Sequence, residues 1–421
     1  MILSVLYSEL LSEVIFMFEH KNLYPVILVP GVLGYGEDTL THKVFPYFGL
    51  TSTSYEKVIK SMGMECHTPT FELLSSTWDR ACELFAQLVG GTVDYGKAHS
   101  EKFGHARYGE TYKTAMLPNW GQTDENGQLI KITLIAHGYG APVARLLIDL
   151  LTNGCAEETA ATAGEYVSPL FTGGYGHLVH CLVTIAGVND GISLFEALEG
   201  RFTGAKKLLA KGAVAFDELK EYAGYVDPYT RNGGMKLSQH GVSATLEPVE
   251  GKKIGKLVFD EDAIAKYLWK EDNVFYDIGP IGMAKLNNKL HAHDNIYYLC
   301  IAGEVTTNIL NKVTVPKLSA GITLPTAALI STFENYLPEA PVVTSNSHSN
   351  DGIVNTEAAF PPINEEATAF KSADRCNPGI WYQLPVENRN HFSFMGLLVR
   401  PDKYRNEIYD LMKIICNLET L

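Results

Sequence analysis

Ile132-Thr133-Leu134-Ile135-Ala136-His137-Gly138-Tyr139-Gly140-Ala141-Pro142-Val143 runs from a β-branched apolar strand, through a bend of glycines, straight into a helix. The helix side of this stretch is easily read. Pro142 suits a first helical turn, where its missing N–H has no partner to lose. Val143, Leu146, Leu147, Leu150 and Leu151 then recur at helical spacing and make one apolar face. Asn153-Gly154 supplies a stop that tolerates left-handed backbone. Working outward, further short apolar runs read as strands: Pro25–Val29, Glu65–Thr70, Leu129–Ala136, Leu178–Ile185, Asn295–Ile301, Pro341–Thr344 and Ile380–Leu384. A second clear helix spans Asp402 to Cys416, with Tyr404, Ile408, Leu411, Met412 and Ile415 on its buried side. Strands alternating with helical segments predict the α/β class: a mostly parallel central sheet with helices on both faces.

Composition narrows what such a domain can do. The chain has 421 residues, 46% apolar and 19% charged, with a net charge of −14. That is ordinary globular material with enough apolar side chains for a large core. An acidic chain whose 34 basic residues form no run does not neutralise phosphates, which excludes a nucleic-acid partner. No stretch is long and apolar enough to predict a transmembrane span. The seven cysteines are scattered, with no CxxC and an odd count, so they read as buried thiols, with one isolated bridge left open. Met1 to Phe18 is apolar but carries Glu9 and Glu13 and lacks a basic start, so it reads as a terminal helix rather than a signal peptide. No internal repeat or low-complexity linker divides the chain, and residues 1–421 read as one domain. Two segments exceed a minimal sheet-and-helix unit, residues 75–120 and 191–257, and both read as insertions.

A strand–bend–helix of this kind is the setting of Gly-x-Ser-x-Gly, where a strained turn lifts a serine Oγ above a sheet. Here the pattern is Ala136-His137-Gly138-Tyr139-Gly140, and the central residue is Gly138. The strained conformation costs a side-chain-bearing residue about 1–3 kcal/mol, and glycine avoids it. The bend should therefore form while offering no Oγ. Taken alone, it reads equally well as a plain glycine-rich turn.

Other stretches tip that balance. Tyr24-Pro25-Val26-Ile27-Leu28-Val29-Pro30-Gly31, the long run from Ser76-Thr77-Trp78-Asp79-Arg80 to Asp94-Tyr95-Gly96, Ala98 to Gly109, Leu182-Val183-Thr184-Ile185-Ala186 and Asn350-Asp351-Gly352-Ile353-Val354-Asn355-Thr356 resemble the bacterial thermoalkalophilic lipases. The resemblance implies an α/β-hydrolase fold and a lipase or carboxylic-ester hydrolase scaffold with a Ser-Asp-His triad. It places Asp351 as the acid, His391 in Asn390-His391 as the base, and Gly138 where the serine belongs. Histidine would take the nucleophile's proton while the carboxylate holds its tautomer. It also implies an oxyanion hole from the backbone N–H groups of Val32 and Tyr139, which survive side-chain changes. Pro30 departs from the family's usual His.

The same resemblance implies a structural zinc held by Asp79, His99 and His105, a donor set suited to a closed tetrahedral ion. The fourth ligand is left among Ser238, His240 and water. The family's calcium site looks lost, because its acidic positions fall on Ser393 and Leu398. Ser193–Tyr222 is expected to be a helical lid, with Leu194, Phe195, Leu198, Phe202, Leu208, Leu209, Phe216 and Leu219 on its apolar side. A permanently packed amphipathic helix is the competing reading. Family resemblance implies secretion, acyl ester or lipid as substrate, and contact with a lipid–water interface. Three functional readings follow: a lipase inactivated at Gly138, a natural pseudoenzyme that binds acyl lipid or a protein partner, and a slow hydrolase in which His391 activates water directly.

Overall fold

The computed structural model describes residues 20–32, 34–162, 166–222, 237–249, 256–310, 312–335 and 345–421. Seven strands form one sheet: β1 (Val26–Val29), β2 (Cys66–His67), β3 (Ile132–His137), β4 (Val179–Ile185), β5 (Tyr297–Ile301), β6 (Ala367–Ala369) and β7 (Trp381–Gln383). Their order is β6-β7-β5-β4-β3-β1-β2, and every pairing is parallel. The central strands β1, β3, β4 and β5 are buried along their whole length. That matches near-continuous apolar runs covered on both faces.

Alternation along the strands sorts side chains onto two cores. Ile27, Val29, Leu134, Ala136 and Leu182 face one layer, which holds α2 (Thr77–Val89) and α4 (Gly140–Asn153). Val26, Leu28, Ile135, Val183 and Leu299 face the other, which holds α1 (Tyr55–Ser61) and α8 (Pro401–Cys416). The five side chains predicted for the buried stripe of α8 are all buried, each contributing about 2 kcal/mol of burial free energy. Gly154 ends α4 at φ +68°, where an added Cβ would lie 2.4 Å from the Phe171 carbonyl oxygen.

Two strand expectations shrink for local reasons. The run Glu65–Thr70 pairs only at Cys66–His67. Pro69 has no N–H for a ladder, the Thr68 carbonyl accepts from the Glu37 N–H, and the Thr70 N–H donates to the Gln87 side chain. Leu129 and Ile130 precede β3 instead of belonging to it, because Ile130 exchanges backbone bonds with Gly121 and Gln122. Pro341–Thr344 and Met1–Phe18 lie outside the described residues. No described helix is long and apolar enough to cross a membrane. All seven cysteines are free thiols, six of them buried.

The segment 75–120 contributes α2, α3 (Lys97–Phe103) and a small antiparallel hairpin, Gly91–Asp94 with Tyr108–Tyr112. The segment 191–257 contributes α5 (Leu194–Arg201) and α6 (Ala205–Tyr222). Between α6 and α8, the short helix α7 (Val274–Asp277) packs beside the start of α2.

Candidate active site

The carboxyl ends of parallel strands are where such sheets hold ligands, and three sequence-predicted residues converge there. Gly138 follows β3 at φ +53°, in the left-handed region, and leads through Tyr139 into α4. Close packing explains the second glycine of the bend: a Cβ on Gly140 would sit 2.4 Å from the Val29 carbonyl oxygen. Asp351 and His391 arrive on separate loops. Gly352 takes φ +98°, and any Cβ there would overlap the Thr323 hydroxyl at 2.0 Å. That turn lets Asp351 Oδ1 accept from the N–H groups of Ile353 (2.9 Å) and Val354 (2.8 Å). The other oxygen, Oδ2, accepts from His391 Nδ1 at 2.8 Å. His391 opens a 3-10 turn, His391–Met395, capped by the Asn390 side chain on the Ser393 N–H. Its backbone N–H also donates to the Asp351 carbonyl at 3.1 Å.

With Nδ1–H engaged by a carboxylate, Nε2 carries the ring's lone pair. That nitrogen faces the bend: a Cβ built on Gly138 would lie 3.1 Å from His391 Nε2. Both Asp351 and His391 are buried.

His137, Tyr47 and Arg80 belong to this neighbourhood although sequence reasoning passed them over. The Gly31 N–H donates to the Tyr47 oxygen (3.1 Å), and the Tyr47 hydroxyl meets His137 Nδ1 at 2.9 Å. The His137 ring lies 4.3 Å from that of His391. Burial, reinforced by repulsion from His391, pushes the His137 pKa well down, so this ring stays neutral. Burial pushes the Tyr47 phenol up, keeping it a hydroxyl. The sign that pointed to His137 was its place in the bend itself. Tyr47 and Arg80 gave no such sign.

Val32 and Tyr139 flank the same spot. The loop after β1 lies against the bend, since a Cβ on Gly31 would sit 3.1 Å from the His137 carbonyl oxygen and 3.5 Å from the Tyr139 nitrogen. The Tyr139 side chain is fully buried, with the Arg80 guanidinium 4.8 Å above its ring.

A second cluster lies nearby. Among the described residues, Asp79, His99, His105 and Asp272 form a group whose ligand atoms all lie within 4.8 Å of one another. Ser76 caps α2 by accepting from the Asp79 N–H, placing Asp79 in the first turn. His99 sits in α3, with its ring stacked on Trp78. Gly104 ends α3 at φ +72° and turns the chain back, so that the His105 ring comes within 5.2 Å of His99. His105 Nδ1 faces the Ala106 carbonyl at 2.9 Å, which leaves Nε2 as the donor atom. His99 Nε2 is 3.4 Å from Asp79 and 3.3 Å from Asp272, and His105 Nε2 is 3.4 Å from Asp272.

These six oxygens and nitrogens are buried and lack hydrogen-bond partners. Two imidazoles and two carboxylates, orphaned and aimed at one another, fit a divalent ion. The fourth member of the group differs from the sequence expectation of Ser238, His240 or water: it is Asp272. His240 is buried alongside, its Nε2 3.9 Å from Asp79 Oδ2, while Ser238 has its side chain outside the described residues. Asp272 was missed because no spacing rule links it to ligands more than 160 residues earlier. The adjacent carboxylates push the His99 pKa up to about 9 against the effect of burial.

A parallel α/β sheet carrying an Asp–His pair at its carboxyl edge defines an α/β lipase fold, and comparison with known proteins agrees. The chain belongs to the family described as lipase-like, C-terminal domain, whose model matches residues 22–418. It is 30% identical to Lipase 2 of Staphylococcus aureus over 388 residues, covering 89% of this chain and 51% of that protein. It is 28% identical to Lipase 1 of the same species over 385 residues, 90% of this chain and 51% of that protein. The chain therefore spans about half the length of the curated relatives it matches. Among solved structures, EstA from Clostridium botulinum superposes with a TM-score of 0.73 at 28% identity, covering 96% of this chain and 89% of that one. Lipase 1 from Pelosinus fermentans gives 0.70 at 27%, covering 93% and 98%. The Staphylococcus hyicus lipase gives 0.74 at 24%, covering 94% and 96%, a likeness of fold.

Proposed function

We propose that this chain is an acyl-ester-binding lipase domain that has lost its nucleophile at Gly138 and forms no acyl-enzyme. One observation carries the reading: His391 Nε2 points at the Cβ position of Gly138 from 3.1 Å, with Asp351 holding the far side of the ring. In this reading Asp351 fixes the tautomer of His391, and His391 is a base with no hydroxyl to deprotonate. The Tyr139 and Val32 N–H groups are the donors to an ester carbonyl. Tyr47 and His137 brace the floor beneath them. Asp79, His99, His105 and Asp272 would hold a zinc ion, whose contribution is structural: it neutralises two buried carboxylates and ties the insertion to the core.

The helices α5 and α6 serve as the lid. Leu194, Ala210, Ala213 and Val214 are buried in the core cluster that contains Tyr139, while Phe202 and Leu208 are about 70% exposed. An amphipathic pair with apolar side chains on both its inner and outer surfaces suits a cover that meets lipid. Acylglycerols or other acyl esters are the ligands, and a non-catalytic lipid-binding or partner-binding role is the form this reading takes for the unaltered chain.

A second reading has one observation in its favour. The intact Asp351–His391 pair, at 2.8 Å, could activate water directly, and an oxyanion hole with binding alone sustains about 10³-fold acceleration over water. Stopped-flow hydrolysis of p-nitrophenyl esters separates the two. Turnover indistinguishable from buffer supports the first reading, slow linear turnover lost in His391→Ala supports the second, and a stoichiometric burst would sink both.

A further inference from the structure

Two short segments that hold the metal cluster also hold the bend and the β1 loop. Residues 76–80 carry Asp79, whose carboxylate faces His99. In the same turn, the Thr77 hydroxyl donates to the Tyr139 phenol oxygen at 3.1 Å. One residue past Asp79, Arg80 lays its guanidinium on the Tyr139 ring and donates to the Gly31 carbonyl at 3.0 Å. It also donates to the carbonyls of Glu72 (2.7 Å) and Leu73 (3.0 Å). Residues 272–277 carry Asp272 at one end and Asp277 at the other. Asp277 Oδ2 accepts from the Tyr139 hydroxyl at 3.2 Å and from the Thr77 N–H at 2.5 Å. Tyr139 therefore has its phenol clamped between the two segments, each of which also supplies one carboxylate to the cluster. Thr77, Asp79, Arg80, Tyr139 and Asp272 are at most 2% exposed, so the contacts among these five are shielded from water.

We propose that Tyr139 and Arg80 are positioning residues that couple a divalent ion at Asp79, His99, His105 and Asp272 to the backbone of the oxyanion hole at Val32 and Tyr139. The inference rests on the reading of those two N–H groups given above. Its physical basis is ligation. Without a divalent ion, Asp79 and Asp272 are joined only through the His99 ring, at 3.4 Å and 3.3 Å, which leaves residues 76–80 and 272–277 loosely tied. With a cation, the segments close on the Tyr139 phenol, and Arg80 passes the constraint to Gly31, next to Val32. The ion thus acts on the site without touching substrate.

Hydrogen–deuterium exchange on the full chain tests this. Zinc-loaded protein is compared with protein stripped by a chelator and with stripped protein given Zn²⁺ again. Stripping should raise exchange in peptides covering 76–80 and 272–277, and also, by about threefold or more, in peptides covering 31–36 and 137–141, with reversal on adding zinc. Tyr139→Phe keeps the ring and the Arg80 contact but removes the hydroxyl. It should retain zinc, show raised exchange at 137–141 even when loaded, and respond little there to stripping. Changes confined to the metal segments overturn the coupling. So does a bend in Tyr139→Phe that still answers to zinc as the unaltered chain does, and so does a chain that takes up no zinc. Exchange needs no turnover, so an inert Gly138→Ser would defeat the ester-hydrolase reading and leave this measurement standing.

Discussion

Gly138→Ser is the most informative single change. Its cost is set by two features. At φ +53° the glycine adopts a conformation that side-chain-bearing residues pay about 1–2 kcal/mol to enter. The new Cβ would also meet His391 Nε2 at 3.1 Å and Cε1 at 3.3 Å, so the imidazole must retreat by a few tenths of an ångström. That retreat is opposed by the 2.8 Å bond to Asp351 and by the 3.1 Å backbone bond between His391 and Asp351. Together these predict a loss of roughly 2 kcal/mol, readable as a drop of a few degrees in Tm. The gain is an Oγ within reach of a base whose tautomer is already set. Removing a triad serine elsewhere costs about 10⁶-fold in kcat, and an imperfect refit of His391 lowers what is regained. An increase of about 10³-fold or more in p-nitrophenyl butyrate hydrolysis is expected, with covalent capture of one fluorophosphonate per chain by intact-mass spectrometry. Gly138→Ala carries the same strain without the oxygen and should match the Tm loss with no activity. A folded Gly138→Ser protein that takes no phosphonate and hydrolyses no ester refutes the reasoning, because geometry and base would then be insufficient.

Three further outcomes follow from the same structure. Elemental analysis of protein purified without chelator should give about one zinc per chain, and Asp272→Ala should lose it while Ser238→Ala keeps it; equal retention in both would remove Asp272 from the ligand set. Burial lifts the Asp190 pKa to about 6, against the pull of the Ile363 N–H and Arg145, so the folded state holds this proton more tightly than the unfolded one. Its contribution therefore favours folding at low pH, fades as pH rises from about 4 to about 6, and leaves a penalty of about 2 kcal/mol above that, partly screened by solvent. Asp190→Asn, which keeps Oδ1 as acceptor for Asn287 and Ile363, should raise Tm at pH 8 and leave it unchanged at pH 4; the reverse ordering would contradict the sign. Phe202→Ser with Leu208→Ser should weaken adsorption to a triolein emulsion severalfold without changing Tm, and unchanged adsorption would argue against a lid that meets lipid.

What could be read from the chain depended on whether the signal was local. β3, the glycine bend and α4 were legible because a strand period, small residues and a helix period abut within about twenty residues. α8 was legible for the same reason. The edge strand β6 was not, because Ala367–Ala369 is exposed throughout and carries no apolar period. Asp351 and His391 were placed by motif, and their meeting at 2.8 Å is a product of loops 40 residues apart. Asp272 and the Arg80–Tyr139 contact were invisible for a different reason. Each depends on tertiary neighbours more than 50 residues away in the chain, and neither residue type is unusual where it stands.

The glycine itself repays one more step. At the bend, the His391 imidazole faces the Cβ direction of Gly138 while keeping its carboxylate. Folding energetics gain little from that arrangement: a buried histidine beside the neutral His137, at 4.3 Å between rings, contributes little that a Leu or Phe would not. Gly352 is likewise tied to a turn whose main product is the placement of Asp351, since a Cβ there meets Thr323 at 2.0 Å. Geometry this demanding, with so little return in stability, is what the proposed lipase reading expects. In that reading, an intact Asp351–His391 pair and a glycine at φ +53° fit a change confined to position 138 better than a site remade for another purpose.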